Sequence, residues 1–462
     1  MALRRVFPLI ATVGALAAFA PAASAQAPAA APTPEQAYEL GKEAFTYGYP
    51  LLEFNRVRSD DIANMAPVNR LANAQQLAKA GADQVVAPNV DTLYSLGQFD
   101  LEKPLVLQVP KMKNRYWVFE FVEPWTNVVG YVGQRLNGGN GGTWALEWDG
   151  APAGKLPKGV KRFKSSARRL WVIGRVLVKG KDDTASARKL MSKFRTGSLA
   201  DYKAGKPLAK PVSNVGYRAK GGPPAGLEFI RQLNAQMATD PPPEKEDAAI
   251  LERLAPAGVG IGRSPDSLPA DVQARLADGV DAAYAALPVE ARLPILQQAI
   301  ADGGWYTPPS DIGDYGTNYT FRARVALVGL GANTPVESVY PVALATPSGE
   351  TFNGANSYRM VFKKGKLPPT RAFWSLTMYD TDGYLVANPS NIYAIGDSHP
   401  PLRKKKDGSV VVVIQKDKPT EKDVNWLPAP ADKGFRLNLR LYMPKKAILD
   451  GSWKPPGVEK AG

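Results

Sequence analysis

The sequence predicts a multidomain, mainly β protein with an N-terminal helix and a helical insert or middle domain between two β regions. The chain has 462 residues, which is more than one hydrophobic core usually supports. In 89–178 and 339–449, short runs with strand periodicity alternate with turns rich in Asp, Asn, Gly and Pro. In 222–301, apolar residues instead recur at every third or fourth position, which is typical of amphipathic helices.

The first 25 residues have the pattern of an export signal. Arg4 and Arg5 precede an apolar run over 6–20, and a small-x-small triplet ends at Ala25. The alternative is an uncleaved membrane anchor, but the apolar run is shorter than the roughly 20 residues that a span needs. We therefore expect cleavage after Ala25 and a periplasmic or secreted protein with no membrane span.

Composition excludes several kinds of chemistry. The chain has no cysteine, which removes disulfides, thiolate nucleophiles and cysteine-ligated metals. The formal net charge is +15, but the basic residues are scattered and no basic helix interleaved with aromatic residues is present. We therefore expect no nucleic-acid partner, and the oligomeric state stays open.

The first half of the mature chain is predicted in order. An Ala/Pro-rich lead-in at 26–34 is expected to be disordered. The apolar spacing over 35–55 predicts an amphipathic helix, and 182–195 is a second helix candidate. Together with six strand candidates this makes a domain at 35–200, predicted as an antiparallel sandwich or barrel. The strand candidates are 93–96, 105–109, 116–122, 128–132, 143–148 and 170–178.

The second half is predicted as a helical middle region at 222–310 and a β domain at 335–455. Residues 319–330 are expected to form a linking helix or strand. Residues 371–379 and 384–387 are expected to pair as a hairpin, because Asp380-Thr381-Asp382-Gly383 between them is rich in turn formers. The other strand candidates are 339–345, 358–362, 410–415 and 435–442.

Three familiar kinds of site are disfavoured by particular motifs. His399 is the only histidine and lies in a polar, Pro-rich turn, so a metal site built on two histidines is excluded and a surface histidine is expected. The glycine-rich stretch 136–142 precedes a strand, which favours a hairpin loop over a phosphate cradle. A carboxylate-only calcium site at Asp380, Asp382 and Asp397 stays open, but we predict no metal and no cofactor.

The polar residues at 89–95 have two interpretations. In the structural one, Asp91 accepts backbone N–H bonds in an Asx turn that fixes the start of a strand. In the functional one, Asp91 is a general base, Tyr94 a proton donor and Arg115 an oxyanion or carboxylate partner, with Asn89 and Thr92 as ligand-binding neighbours.

Aromatic residues give the second set of candidates. Tryptophan and tyrosine stack on sugar rings and flat apolar ligands, but they also fill the cores of β-sandwiches. Trp125, Trp374 and Tyr379 are the candidates within the β regions. Asn425 and Trp426 lie in a proline-rich, loop-like stretch, which makes Trp426 the best candidate for an exposed platform.

Several motifs resemble two bacterial families. The segments 87–95, 115–116 and 125–127 resemble domain-of-unknown-function family 1254. The segments 373–380, 388–389, 425–430, 440–444 and 453–456 resemble its usual partner, family 1214. This resemblance implies an N-terminal β-sandwich, a helical middle section and a C-terminal jelly-roll-like sandwich. It brings neither an established activity nor catalytic residues.

Two hypotheses about function follow. In the first, the protein binds or hydrolyses a glycan, ester or other small molecule in a cleft between the β domains, by carboxylate acid–base chemistry. In the second, it is a non-catalytic envelope or interaction module whose motifs are structural. Convergence of Asp91, Arg115, Trp374 and Trp426 on one open pocket would favour the first.

Overall fold

The computed structural model describes residues 31–81, 86–214, 221–397 and 401–461. Helix accounts for 30% and strand for 27% of the chain, so it mixes helix and strand rather than being mainly β. The predicted signal peptide, most of the lead-in and His399 lie outside the described residues. Within them, no helix combines the length and the apolarity that crossing a membrane requires.

A long helix, α1 (Pro34–Asn64), opens the described chain. Thr33 caps it: its Oγ1 accepts the backbone N–H of Gln36 at 3.3 Å, and the Gln36 side chain accepts the backbone N–H of Thr33 at 2.9 Å. The helix runs beyond the predicted end at residue 55 because its last turns are held by polar pairs such as Arg56 with Glu53, which apolar periodicity does not reveal.

The first β region contains two sheets that pack face to face. Their orders are β10-β1-β2-β8-β4-β5 and β7-β6-β3-β9, and most neighbours are antiparallel. Leu107, Phe119 and Val172 represent the core between them. The strands are β1 (Ala72–Ala74), β2 (Thr92–Asp100), β3 (Leu105–Val109), β4 (Trp117–Val122), β5 (Val128–Gly133), β6 (Gly142–Trp148), β7 (Val160–Ser165), β8 (Arg169–Leu177), β9 (Arg195–Ser198) and β10 (Val212–Asn214).

Three short helices, α2 (Gln134–Asn137), α3 (Thr184–Met191) and α4 (Leu199–Lys203), connect these strands. The glycine-rich stretch 136–142 is not the predicted hairpin loop. It contains the end of α2 and a 3₁₀ turn, and it carries the chain from β5 in one sheet to β6 in the other.

The helical middle region forms one core with the N-terminal helix. Phe45 and Leu51 of α1 pack with Phe229, Leu276 and Ala323, all of them buried. The sequence predicts α1 as part of the first domain, and the second half of the helix does contact that β region, since Phe54 packs with Val122 and Trp171. Within residues 319–330, expected to form a linking helix or strand, residues 319–328 form a helix. The helices are α5 (Gly226–Thr239), α6 (Ala248–Leu254), α7 (Ala270–Glu290), α8 (Leu293–Ala301) and α9 (Tyr319–Val328).

The second β region is again a pair of packed sheets. Their orders are β11-β13-β19-β15-β16, with β12 also paired to β19, and β18-β17-β14-β20. A jelly-roll topology is not confirmed. The chain then has a short helix, α10 (Lys446–Leu449). The strands are β11 (Trp305–Tyr306), β12 (Ser338–Val339), β13 (Val342–Ala343), β14 (Tyr358–Phe362), β15 (Thr370–Asp380), β16 (Ala394–Gly396), β17 (Val410–Gln415), β18 (Asn425–Pro428), β19 (Phe435–Pro444) and β20 (Val458–Lys460).

The turn after β15 forms where the sequence predicts it. The N–H of Asp380 donates to the carbonyl of Tyr384 at 2.8 Å, and Gly383 adopts a φ of +94°, which favours glycine. The predicted return strand at 384–387 is reduced to one bridge, Tyr379 with Leu385. On the edge of β15 away from β19, the paired strand is instead β16, because Asn388-Pro389 ends the return early.

Candidate functional site

The segment 87–92 leads into β2 of the first β region and contacts the second β region, and we call it the corner. The carbonyl of Pro88 accepts a hydrogen bond from the Tyr379 hydroxyl at 2.6 Å. The Asn89 side chain donates to the Tyr442 hydroxyl at 2.6 Å. The Asp91 carboxylate accepts from the Ser375 hydroxyl at 2.5 Å. The corner is therefore bound to the second β region by side chains of β15 and β19.

The Asx turn predicted here is present but is made by a different residue. Asn89 Oδ1 accepts the backbone N–H groups of Asp91 at 2.6 Å and Thr92 at 3.2 Å. Asp91 and Ser375 are both 0% exposed, so neither reaches solvent. The carboxylate proposed as a general base is thus sealed inside the contact between the two β regions.

Arg115 and Tyr94, the proposed partners of Asp91, have separate surroundings. The Arg115 guanidinium binds the Asp183 carboxylate and the carbonyl of Leu177, within the first β region. The Arg175 guanidinium lies over the Tyr94 ring, with Arg175 Cζ 5.7 Å from the ring centroid. Tyr94 faces the cavity described below. The three residues do not form one catalytic group.

The aromatic candidates lie in three different places. Trp125 is in the helical core, 4.9 Å from the ring of Tyr47. Trp374 is in the core of the second β region. Trp426 lies on β18 with its indole N–H donating to the carbonyl of Gln415 at 2.9 Å.

Asn425 and Tyr379 are likewise occupied by contacts within the protein. The Asn425 side chain binds the backbone N–H of Arg403 at 2.9 Å. Tyr379 is fully buried against the corner. Of the ten candidate residues, Asn89 and Tyr94 line the cavity among the described residues, and the other eight do not.

A cavity of about 1050 Å³ lies where the three regions meet. One wall is the outer face of the first large sheet, with Leu96, Trp171 and Ile173. A second is helical and includes Val57 of α1 and Leu296 of α8. The third is the face of the second β region that points away from its own core. Most of the lining side chains are apolar, which is typical of small-molecule sites.

A row of four polar side chains forms the third wall, and we call it the β19 row. It consists of Arg436, Asn438, Arg440 and Tyr442, which alternate with residues buried in the core. Side chains two apart on a strand share a face, so the four point to the same side.

The members of the β19 row differ in their partners. Arg440 donates to the carbonyl of Ala87 at 2.7 Å and to the Thr377 hydroxyl at 3.0 Å. Burial acts to lower the pKa of Arg440, but the neighbouring side chains, Tyr379 first, more than compensate and leave that pKa raised. Arg436 makes no ion pair or hydrogen bond within the described residues, and burial lowers its pKa. Asn438 Oδ1 also has no hydrogen-bond partner there.

One buried acidic side chain also lines the cavity. Asp61 of α1 is 5% exposed and accepts a hydrogen bond from the Gln98 side chain at 2.8 Å. Burial raises the pKa of Asp61 to about 6. No group of three or more acidic or histidine side chains that could hold a metal occurs in the described parts of the chain.

The sequence interpretation missed the β19 row and Asp61. A signal for the row was available, since Phe435 to Tyr442 alternates apolar residues with Arg, Asn, Arg and Tyr. A strand with such long polar side chains on one face needs partners for them or a ligand. Asp61 gave no signal, because an acidic residue in a polar helix end is usual on a surface.

Comparisons with known proteins agree with the resemblance. Residues 68–197 match the family described as "Protein of unknown function (DUF1254)". Residues 337–446 match "Protein of unknown function (DUF1214)". No curated protein matches the sequence.

Two solved structures are similar. The crystal structure of the VPA0106 protein from Vibrio parahaemolyticus matches with a TM-score of 0.66 and 21% identity, over 92% of this chain and 100% of that one. A putative uncharacterized protein from Burkholderia cenocepacia matches with a TM-score of 0.43 and 10% identity, over 92% and 94%. The first likeness supports the fold. The chain belongs to the bacterial proteins of unknown function that join a DUF1254 domain to a DUF1214 domain.

Proposed function

We propose that the protein binds a largely apolar small molecule in the cavity between its three regions. The observation that carries this proposal is the cavity itself: about 1050 Å³, mostly apolar, at a junction between regions. Water makes few favourable contacts with apolar cavity walls. A ligand that fills the cavity restores dispersion contacts with these walls and is stabilised by burial of apolar surface.

The proposal is tested with N-phenyl-1-naphthylamine, a neutral apolar fluorophore. We expect saturable binding to the chain from Gln26 onwards. Ala74 lines the cavity at the end of β1, so Ala74→Trp places an indole in it. This variant should bind the probe about tenfold more weakly or worse. Ala274→Trp, at an exposed position of α7, is the matched control and should bind as the wild type does.

Absence of saturable binding, or equal binding by the two tryptophan variants, would reject the cavity as a ligand site. A melting curve for each variant shows whether it is folded, and so distinguishes a blocked cavity from unfolding of the protein.

A second candidate function is acid–base chemistry on the bound molecule. Asp91 is sealed, so the observation in its favour is Asp61, a cavity-lining carboxylate with a pKa near 6. A panel of p-nitrophenyl esters of increasing chain length tests it. Turnover that Asp61→Asn abolishes supports a hydrolase, whereas binding without turnover leaves a binding protein.

A non-catalytic envelope or interaction role is the remaining alternative, and the sealed corner supports a structural reading of those motifs. For location, we propose export to the periplasm or beyond. Its support is the sequence pattern around Arg4, Arg5 and Ala25. A shift of the mature N-terminus to Gln26, measured by mass spectrometry, is the expected result.

A further inference from the structure

We propose that the ligand of this cavity is an anionic amphipath whose head group binds Arg436 on the β19 row. The inference rests on the proposed function and specifies its ligand class. A carboxylate on an alkyl chain is the simplest such molecule.

The first step compares Arg436 with three other arginines that line the cavity. Arg175 is paired with Glu120 at 2.5 Å, and Arg292 with Asp382 at 3.2 Å. Arg56 is paired with Glu53 at 2.6 Å. Arg436 is partly buried and has no such partner among the described residues, and its Nε is buried without a hydrogen-bond partner. The Asp380 carboxylate attracts it but is not within ion-pair distance, so the positive charge remains available to a ligand.

The second step concerns the cost of that arrangement. A guanidinium stays charged at any physiological pH, so it cannot escape the cost of burial by losing a proton. Water and the polar neighbours of Arg436 offset part of this cost. An anion in the cavity would replace them with charge-assisted, bidentate hydrogen bonds, which are short and strong. The binding energy is thus concentrated at one end of a mostly apolar space.

The third step is the neighbouring amide. Asn438 lies two residues further along β19, on the same face, and its side chain is buried with Oδ1 unpartnered. Rotation of the carboxamide presents either its NH₂ or its oxygen, so it can donate to a second oxygen of the head group. Two adjacent unsatisfied groups on a rigid strand make a preformed polar subsite.

The fourth step is the path of the chain attached to the head group. Arg292, which also faces the cavity, contributes to the electrostatic environment of Arg436. The residues that follow it on α8, Leu293, Ile295 and Leu296, are apolar and line the same cavity. An alkyl chain that leaves the Arg436 subsite therefore meets apolar walls at once.

The experiment compares dodecanoate with dodecanol, which differ in the head group alone, as competitors of N-phenyl-1-naphthylamine. The wild type should bind dodecanoate about tenfold more tightly than dodecanol. Arg436→Met should remove this preference by weakening dodecanoate binding about tenfold. The matched control is Arg371→Met, at an exposed position outside the cavity, which should retain the preference.

The salt dependence of the preference distinguishes binding at the Arg436 subsite from a general attraction of anions to a basic protein. A pair inside the cavity is screened little, so the preference should persist from 50 to 500 mM salt, whereas surface binding of anions would weaken steeply. Equal binding of both competitors by the wild type, or an unchanged preference in Arg436→Met, overturns the head-group inference and leaves the cavity proposal standing. Failure of the fluorophore and of both competitors to bind overturns the proposed function itself.

Discussion

The corner and the β19 row are both polar and both lie where the two β regions meet, but they differ in which of their side chains have hydrogen-bond partners. In the corner, Asn89 and Asp91 meet Tyr442 and Ser375 at 2.5–2.6 Å. In the row, Arg436 and Asn438 keep unsatisfied atoms next to a large cavity. The Thr92 hydroxyl of the corner also lacks a partner among the described residues, but Thr92 does not line the cavity. Buried polar groups that are paired indicate a structural role, and those that are unpaired beside a cavity indicate a ligand.

The largest effect is expected from removing the carboxylate of the corner. Asp91→Ala leaves the buried Ser375 hydroxyl without its acceptor and takes a negative charge away from Arg440, so it should lower the free energy of unfolding by about 3 kcal/mol. Urea denaturation measures this. Asp278→Ala, which loses an exposed ion pair on α7, is the control and should cost less than about 1 kcal/mol.

A stable Asp91→Ala variant would remove the structural reading of the corner. The corner could then no longer be contrasted with the β19 row as a structural element.

The effect of pH on stability through Asp61, in the cavity wall, is expected to be nearly as large. The pKa of Asp61 is about 6 in the folded protein and 3.8 ordinarily. The folded state therefore holds this proton more tightly, and the contribution of Asp61 to stability is present below pH 4 and lost as pH rises towards 6. Asp61→Asn does not titrate, so its stability relative to wild type should improve by up to about 3 kcal/mol between pH 4 and pH 7.

Urea denaturation of both proteins at four pH values tests this expectation. A difference in stability that stays constant with pH would mean that the carboxylate is not buried in solution.

A smaller effect is expected where the corner and the row meet. Tyr442→Phe removes the hydroxyl that accepts from Asn89 and should lower the free energy of unfolding by about 1 to 2 kcal/mol. The matched control is Tyr393→Phe, whose hydroxyl contacts Asn391 in an exposed loop and should change stability by less than about 0.5 kcal/mol. Thermal melts of both variants suffice, and equal melting temperatures would contradict a structural role for the Asn89 contact.

The smallest effect is expected at Arg436. Arg436→Met removes a partly buried charge that has no ion-pair partner among the described residues, so the free energy of unfolding should stay within about 1 kcal/mol of wild type or rise. Arg440→Met, on the same face of β19, loses two hydrogen bonds and should cost about 2 kcal/mol. If both variants are equally destabilised, Arg436 has a structural partner and the contrast between corner and row disappears.

The local sequence pattern predicts much of the fold but few residues of the candidate functional site. The capping residue Thr33, the β15 strand and the turn at Gly383 follow from neighbours in sequence, and each is present. Trp374 could be a core residue or a platform, because its chemistry suits both. Which face of a strand meets a cavity depends on a second element that lies far away along the chain.

By itself, the sequence determined the pairing of the two families, the two β regions separated by helices, and the absence of cysteine chemistry. Only the tertiary structure decided that Asp91 is closed off by Ser375, 284 residues further on, and that Arg436 is left without an ion-pair partner among the described residues. The physical reason is that backbone preferences and apolar periodicity act over a few residues. Burial and the pairing of charges are properties of the whole packed chain.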